Sequence, residues 1–183
     1  MLNGLAEMIK IAVTSSKELF ELIEKNPQFW KNSSSEYFIK VLTAAIELKQ
    51  SIVKKDPKEQ NERKILNFGH TVGHAVEAAF SYKISHGRAV SYGILIESYL
   101  SVKTGFLKEE EFLKIEKTLK NIGFTFPFLK IKKEKIKKAL FYDKKSFQKP
   151  LFILPHGIGQ AKGCCEVQEK HIESALSNFL CKK

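Results

Sequence analysis

Residues 63–90 read RKILNFGHTVGHAVEAAFSYKISHGRAV and hold three of the five histidines of the chain and both of its arginines. From position 71 onward, apolar residues recur at the spacing of one helix face: Val72, Ala75, Val76, Ala79 and Phe80. This periodicity predicts a central helix around which the rest of the chain is organised. Residues 82–87 are predicted to form a loop that presents His86.

Polar groups cluster on one side of this segment. His70 and His74 are four residues apart and Glu77 is seven from His70, so one helix face carries all three. The same face would continue at steps of four, three and four through four residues: Arg63, Asn67, His70 and His74. The spacing is compatible with a hydrogen-bonded core pair, and also with a zinc site in which both histidines are ligands. The density of polar groups favours a site for an anionic substrate.

The composition is that of one folded enzyme domain. Apolar residues make up 43% of the 183 residues, enough for a single good core. A net charge of +11 suits nucleic acid, a membrane surface or an acidic small substrate. The lysines are scattered except at residues 130–138, and no aromatic or arginine platform accompanies them. Nucleic-acid binding is therefore not expected.

The cysteines and the N-terminus indicate the compartment. Cys164, Cys165 and Cys181 give an odd count, which favours free thiols in a reducing cytosol over a disulfide framework. The sequence has no secretory signal pattern and no run of about 18 apolar residues. We expect a cytoplasmic protein without a membrane partner.

The rest of the chain is predicted to be helical, apart from one strand. Helices are predicted at residues 5–24, from a cap at 33–36 to about 53, at 89–103 and 108–121, from after 127 to about 142, and at 167–181. Residues 149–154 are predicted to form a strand, paired in a short hairpin with residues 144–147. The predicted fold class is mainly all-α: one multi-helix bundle over residues 1–183 with at most a short two-stranded β-ribbon.

The histidine-rich segment also resembles a known family. The pattern R-x-x-L-N-F-G-H-T-x-G-H-A-x-E followed by H-G-x-A-V resembles the second domain of the 3-dehydroquinate synthases, which are sugar phosphate cyclases. The resemblance covers nearly the whole chain, from residues 5–10 through Lys49 and Asp56 to residues 142–145 and 154–159. It implies the C-terminal, metal-binding domain of that fold.

This resemblance implies the second step of the shikimate pathway. In that step, 3-deoxy-D-arabino-heptulosonate 7-phosphate is cyclised to 3-dehydroquinate with loss of phosphate. NAD oxidises one alcohol transiently, phosphate leaves by β-elimination, the ketone is reduced again, and an intramolecular aldol step closes the ring. The oxidation needs a Lewis acid at the hydroxyl that loses its hydride, which a divalent metal supplies. Zinc is expected, and cobalt also fits.

The family pattern places the metal on Glu7, His70 and His86 and leaves His74 to face the substrate. Spacing alone would instead choose His70 and His74 as ligands. We adopt the family pattern because it explains why Glu7 stands in an apolar helix and why His86 follows a loop.

The other candidate site residues match positions that bind substrate in this family. Arg63 suits the substrate carboxylate, because a planar guanidinium binds it in a bidentate manner where lysine cannot. By resemblance, Asn67 and His74 help to hold the phosphate, while Lys10 and Lys49 approach the sugar hydroxyls and the carboxylate. These five residues form the candidate catalytic set.

Part of the active site is expected to lie outside this chain. Lys144 or Lys145 should add a phosphate contact, but no Gly-rich phosphate loop follows a strand anywhere in the sequence. The family binds NAD mainly through a preceding α/β domain. We therefore expect the C-terminal half of a longer enzyme, a homodimer at full length, which is inactive without the NAD-binding domain.

Two departures from the family pattern leave alternatives open. Arg88 stands where the family usually has an acid, and the first helix lacks an aspartate near Ser15 or Ser16. Another sugar phosphate cyclase, of an inosose or valiolone type, is one alternative, and a metal-dependent dehydrogenase of the glycerol dehydrogenase kind is another. A non-catalytic, metal-stabilised helical module is the alternative outside enzymology.

Overall fold

Helix α5 (His86–Lys103) runs through the centre of the structure, a computed structural model that describes residues 1–129, 131–141 and 149–180. Four helices contact it: α1 (Leu2–Ser15), α4 (His70–Ala79), α6 (Glu109–Ile122) and α8 (Glu169–Phe179). Outside them lie α2 (Lys17–Lys25), α3 (Glu36–Lys55) and α7 (Lys133–Phe141). Short 3₁₀ turns occupy Phe29–Lys31 and Glu62–Asn67.

The predicted mainly helical fold is confirmed, and its core has two parts that meet on α5. One apolar cluster joins α1, α2, α3 and α6 to the α5 residues Val90, Ile94 and Leu95. The other joins α4, α7 and α8 to α5 residues that include Tyr92 and Ile96. Because both clusters use α5, this helix is apolar on most sides, as its sequence predicts. No helix among the described residues is long and apolar enough to cross a membrane.

The prediction of one helix over residues 5–24 is wrong, because the chain breaks at Ser16. Ser16 is extended, with φ −158° and ψ 113°, and its hydroxyl accepts a hydrogen bond from the Leu19 N–H at the start of α2. Serine is a favoured N-cap residue, because its hydroxyl can accept a backbone N–H of the first turn, which has no acceptor within the helix. The Val13 carbonyl is then free to accept the Gly159 N–H at 2.8 Å.

The prediction that one helix face carries Arg63, Asn67, His70 and His74 is also wrong. Arg63 and Asn67 lie in the 3₁₀ turn, and α4 starts only at His70. Gly69 separates the two elements with a left-handed backbone, φ 77°, a conformation that glycine adopts without a steric cost. The two pairs of residues therefore belong to two different elements, which meet at Gly69.

The described β-ribbon joins β1 (Leu151–Pro155) to β2 (Ala161–Glu166) in antiparallel register. The strand β1 matches the prediction, but β2 was not predicted, because it lacks β-branched residues and is mostly exposed. Gly157 and Gly159, at φ 90° and 94°, form the turn between the strands. Residues 144–147, the predicted partner of β1, lie outside the described residues, so that pairing stays a prediction.

Candidate metal centre and substrate pocket

Three helices bring Glu7, His70 and His86 together. Glu7 lies in the first half of α1, while His70 and His86 are the first residues of α4 and α5. Glu7 Oε1 lies 3.5 Å from His70 Nε2 and 3.5 Å from His86 Nε2. Potential ligand atoms of the three residues lie within 4.8 Å of one another. His86 thus begins a helix, where the sequence predicted a loop.

The two oxygens of Glu7 have different surroundings. Oε2 accepts a hydrogen bond from Lys10 Nζ at 2.6 Å, and the Lys10 side chain is only 4% exposed. Oε1 is buried and has no hydrogen-bond partner among the described residues. A buried carboxylate oxygen without a partner is costly. One carboxylate oxygen and two imidazole nitrogens converging on one point fit a divalent metal such as zinc or cobalt.

The electrostatics of the site favour the deprotonated forms that bind metals. Burial acts to raise the pKa of Glu7, but the nearby Lys10 ammonium and its hydrogen bond outweigh burial and lower that pKa. The pKa of His70 is lowered, chiefly by burial and then by the charge of Lys10. Burial also lowers the pKa of Lys10, opposed by Glu7. A neutral imidazole beside an ionised carboxylate is ready to accept a metal without first losing protons.

The two candidate ligand histidines, His70 and His86, each have an acceptor beside their Nδ1 atom. His70 Nδ1 lies 3.1 Å from the Phe68 carbonyl oxygen, and His86 Nδ1 lies 3.1 Å from Glu77 Oε1. These acceptors favour the proton on Nδ1 and leave the Nε2 lone pair facing Glu7. Glu77 was placed by spacing beside His70 and His74; the structure pairs it with His86.

His74 stands beside this group of donors without joining it. Its ring meets the His70 ring edge-on, with centroids 5.3 Å apart. Among the described residues, the group of potential metal donors comprises Glu7, His70 and His86 and leaves out His74. The arrangement matches the family pattern better than the spacing-based pair of histidine ligands, although the ligand set itself stays a prediction.

A cleft of about 390 Å³ opens next to the candidate metal ligand His70. Three predicted site residues line it, namely Asn67, His70 and His74. The other polar residues that line the cleft are not predicted from the sequence, and they include Glu59, Lys64 and Cys164. Cys164 has a left-handed φ of 56° and its thiol is free.

Glu59 connects Arg63 and Asn67 at the edge of this cleft. Asn67 Nδ2 donates to Glu59 Oε1 at 2.6 Å, and Arg63 Nε lies 3.7 Å from Glu59 Oε2. The guanidinium also donates to the Pro57 carbonyl at 2.8 Å. The loop is held by the buried Asp56, whose carboxylate accepts backbone N–H groups from residues 60, 61 and 63. The sequence offers one signal for this contact, since Glu59 lies four residues before Arg63.

The predicted lysines divide into two groups. Lys10 and Lys49 both lie on the Glu7 side of the site, since each contributes to lowering the pKa of Glu7. Lys10 is buried, whereas Lys49 is exposed on α3. Lys144 and Lys145 lie outside the described residues, so their phosphate contact stays a prediction.

A further carboxyl group, Glu97, lies at the start of α4, beside the candidate metal ligand His70. It is 0% exposed, and it accepts the backbone N–H of Gly69 at 2.8 Å and of Val72 at 3.1 Å. Burial raises the pKa of Glu97 to about 8, opposed by the N–H groups of Gly69, Val72 and Thr71. The signal for Glu97 in the sequence is that it is the only acid in α5, a helix that is apolar on most sides.

Comparison with known proteins gives the same family in several ways. The family described as 3-dehydroquinate synthase C-terminal matches residues 4–146. The 3-dehydroquinate synthase of Thermodesulfovibrio yellowstonii is 35% identical over 179 residues, which are 96% of this chain and 50% of that protein. The one from Dehalococcoides mccartyi is 40% identical over 159 residues, 86% of this chain and 44% of that protein. The chain therefore spans about half the length of these curated relatives.

Two solved structures share the fold. The 2-epi-5-epi-valiolone synthase ValA from Streptomyces hygroscopicus subsp. jinggangensis, with NAD+ and Zn2+ bound, has a TM-score of 0.84 at 25% identity, covering 97% of this chain and 50% of that chain. A 2-deoxy-scyllo-inosose synthase complexed with carbaglucose-6-phosphate, NAD+ and Co2+ has a TM-score of 0.76, covering 98% of this chain and 52% of that chain. At 18% identity, the second likeness concerns the fold alone.

Proposed function

We propose that this chain, which belongs to the family of 3-dehydroquinate synthase C-terminal domains, forms the metal- and substrate-binding half of a 3-dehydroquinate synthase. The proposed reaction converts 3-deoxy-D-arabino-heptulosonate 7-phosphate to 3-dehydroquinate with elimination of phosphate. The identity to curated 3-dehydroquinate synthases, 35% over 96% of the chain, supports this reaction over others of the same fold.

One observation carries the proposal: the buried, unpartnered Oε1 of Glu7 lies between the Nε2 atoms of His70 and His86. These three side chains would hold the metal, with zinc as the expected ion and cobalt as a second fit. Both metals occur in solved structures of the same fold. The bound metal would act as a Lewis acid at the hydroxyl that is oxidised.

Around that centre, the residues of this chain would bind and orient the substrate. Arg63 would hold the substrate carboxylate by two parallel hydrogen bonds, and Asn67 and His74 would hold the phosphate. Lys10 and Lys49 would approach the hydroxyls and the carboxylate from the Glu7 side. The Lys10 ammonium is already fixed by Glu7 at 2.6 Å, so it would meet a hydroxyl without a large loss of side-chain entropy.

Lys144 or Lys145 would complete the phosphate contacts of this chain. NAD would bind mainly to an N-terminal α/β domain of the same enzyme, because the curated relatives are about twice as long as the part that matches. The proposal includes a homodimer at full length and a cytoplasmic location. The free thiols of Cys164 and Cys165 are compatible with a reducing compartment.

A second candidate function is another sugar phosphate cyclase. The likeness to a 2-epi-5-epi-valiolone synthase, with a TM-score of 0.84 at 25% identity, favours this alternative over more distant dehydrogenases. Arg88, two residues after the proposed ligand His86, also departs from the family pattern. The two functions would share the metal and NAD chemistry and would differ in the product.

The proposal can be tested first on the chain itself. Loaded with zinc, it should hold one metal ion per chain, and 3-deoxy-D-arabino-heptulosonate 7-phosphate should raise its melting temperature. A non-catalytic helical module would bind zinc but show no shift with the sugar phosphate. The chain alone should release no phosphate with substrate and NAD, and release above the rate without enzyme would contradict the need for a second domain.

The reaction is tested by supplying that domain. Fused behind the N-terminal half of the Thermodesulfovibrio yellowstonii relative, the chain should release phosphate and form 3-dehydroquinate, identified by mass spectrometry. The same fusion carrying His86→Ala is the matched control and should lack activity. A different cyclitol product from a natural sugar phosphate, with no 3-dehydroquinate formed, would establish the second candidate function instead.

A further inference from the structure

Glu97 is a buried carboxyl group that the proposed mechanism does not use. It belongs to α5, yet its two oxygens face the first turn of α4: Oε2 accepts the Gly69 N–H and Oε1 accepts the Val72 N–H. These donors are 28 and 25 residues away in the sequence, so the contact is tertiary. Acid residues are almost never fully buried without such partners.

The start of α4 needs a cap from another element. Its N-cap residue is Gly69, which has no side chain to accept the exposed N–H groups of the first turn. A larger residue does not fit there, since a Cβ on Gly69 would come within 2.9 Å of Ile94 Cγ1. Glu97 therefore takes the role that a serine or aspartate N-cap usually has.

The same turn is pressed against the backbone of α5. A Cβ on Gly93 would overlap with the carbonyl oxygen of Gly69, so the two backbones touch at that point. Gly69, Gly93 and Glu97 thus fix the start of α4 on α5. The first residue of α4 is His70, and the first residue of α5 is His86.

This arrangement connects Glu97 to the metal centre through the backbone. His70 Nε2 and His86 Nε2 each stand 3.5 Å from the same Glu7 oxygen, and this geometry depends on how the two helix starts are held relative to each other. We infer that Glu97 is a positioning residue, which holds the first turn of α4 so that His70 faces the metal. The inference rests on the proposed metal-binding function.

Glu97→Gln is the decisive variant. It keeps the size of the side chain, but its NH₂ group cannot accept a hydrogen bond, so one backbone N–H at the start of α4 loses its acceptor. Removal of a partner that orients a metal ligand typically weakens metal affinity by about 10- to 100-fold. We expect a loss of zinc affinity in that range, measured by competition with a chromophoric chelator. The absorption spectrum of the cobalt-loaded chain should change as well.

Ser98→Ala is the matched control, since Ser98 is the next residue on α5, is 0% exposed and has a hydroxyl without a hydrogen-bond partner among the described residues. It should leave zinc affinity and the cobalt spectrum unchanged. Glu97→Asp, with a shorter carboxylate, serves as a second variant and should bind zinc more tightly than Glu97→Gln. Affinities are compared per folded fraction, determined by circular dichroism.

The outcomes separate this inference from the proposed function. If Glu97→Gln lowers only the melting temperature and binds zinc like the unmodified chain, Glu97 has a structural role alone and the inference is wrong. If His86→Ala abolishes zinc binding in the same experiment, the proposed metal site survives that result. An unmodified chain that binds no zinc or cobalt would overturn both.

Discussion

The two ends of the candidate site are built in different ways. The metal end comprises the proposed metal ligands Glu7, His70 and His86, one from each of three helices. The anion end comprises the proposed anion-binding residues Arg63 and Asn67, which lie within one short 3₁₀ turn. The ligands of the metal end are oriented by partners from elsewhere in the fold or from the chain beside them, whereas the anion end is held mainly by its own loop.

This difference predicts different behaviour. At the metal end, the Lys10, Glu77 and Glu97 side chains fix the geometry before any ligand arrives. At the anion end, the main partner of the Arg63 guanidinium and the Asn67 amide is the carboxylate of Glu59, a residue whose backbone is left-handed with φ 55°. A substrate anion would compete with that carboxylate for the same donors. The metal end is therefore preorganised, and the anion end is open to exchange.

The largest expected effect concerns the metal end and compares His86 with His74. His86→Ala should abolish most metal binding, with a loss beyond the roughly 10- to 100-fold typical of a partner that only orients a ligand. His74→Ala should retain the metal, because His74 stands outside the group of donor atoms. Elemental analysis of both purified variants measures the metal content. If His74→Ala lost more metal than His86→Ala, the ligand assignment would be wrong.

The next effect concerns the anion end. Arg63→Lys keeps the charge but removes the planar pair of donors, so kcat/KM of the fused enzyme should fall by roughly 10- to 150-fold, equivalent to about 1.5–3 kcal/mol. Lys17→Arg is the control, a charge-conserving change at an exposed position of α2. A value of kcat/KM for Arg63→Lys within about twofold of the unmodified enzyme would exclude a bidentate role.

The two ends also differ in how far they could be predicted from sequence. The proposed ligands Glu7, His70 and His86 are predicted through the resemblance to a family, because a metal site needs chemically distinctive side chains at fixed positions. The partners Glu59 and Glu97 were missed, because their roles depend on a left-handed turn and on the packing of two glycines, which no periodicity records. Likewise, the break at Ser16 is not evident from the sequence, because the apolar spacing that ends at Val13 resumes in phase at Leu19.

A third effect concerns Glu97, which supports the metal end, and the dependence of the chain's stability on pH. The pKa of Glu97 is raised by burial from 4.5 to about 8, so the folded chain binds this proton more tightly than the unfolded chain does. The resulting contribution to stability is fully present below pH 4.5 and is lost as the pH rises through about 8. Glu97→Gln has no such proton to lose.

The melting temperature of the metal-free chain, measured from about pH 5 to pH 9, tests this dependence. The unmodified chain should lose stability relative to Glu97→Gln as the pH rises. The difference in melting temperature between the unmodified chain and Glu97→Gln reports on Glu97 alone, because all other titrating groups are present in both proteins. A difference in melting temperature that stays constant over this range would contradict the raised pKa.

The smallest expected effect concerns the exchange at the anion end. The Glu59 and Arg63 side chains are 39% and 31% exposed, and ion pairs of this kind contribute only about 0–1 kcal/mol. Glu59→Gln removes the competing charge, so the zinc-loaded chain should bind 3-deoxy-D-arabino-heptulosonate 7-phosphate up to about fivefold more tightly by calorimetry.

Glu62→Gln is the control for that measurement. Glu62 carries the same charge three residues away, is 66% exposed and pairs only weakly, 4.0 Å from Lys55. Glu62→Gln removes the same long-range repulsion of an anion but does not free Arg63 or Asn67. Its affinity for the sugar phosphate should therefore change less than that of Glu59→Gln. Equal gains in both variants would mean that net charge alone is responsible. Weaker binding by Glu59→Gln would mean that Glu59 orients the two donors instead of competing for them, and the anion end would then be preorganised like the metal end.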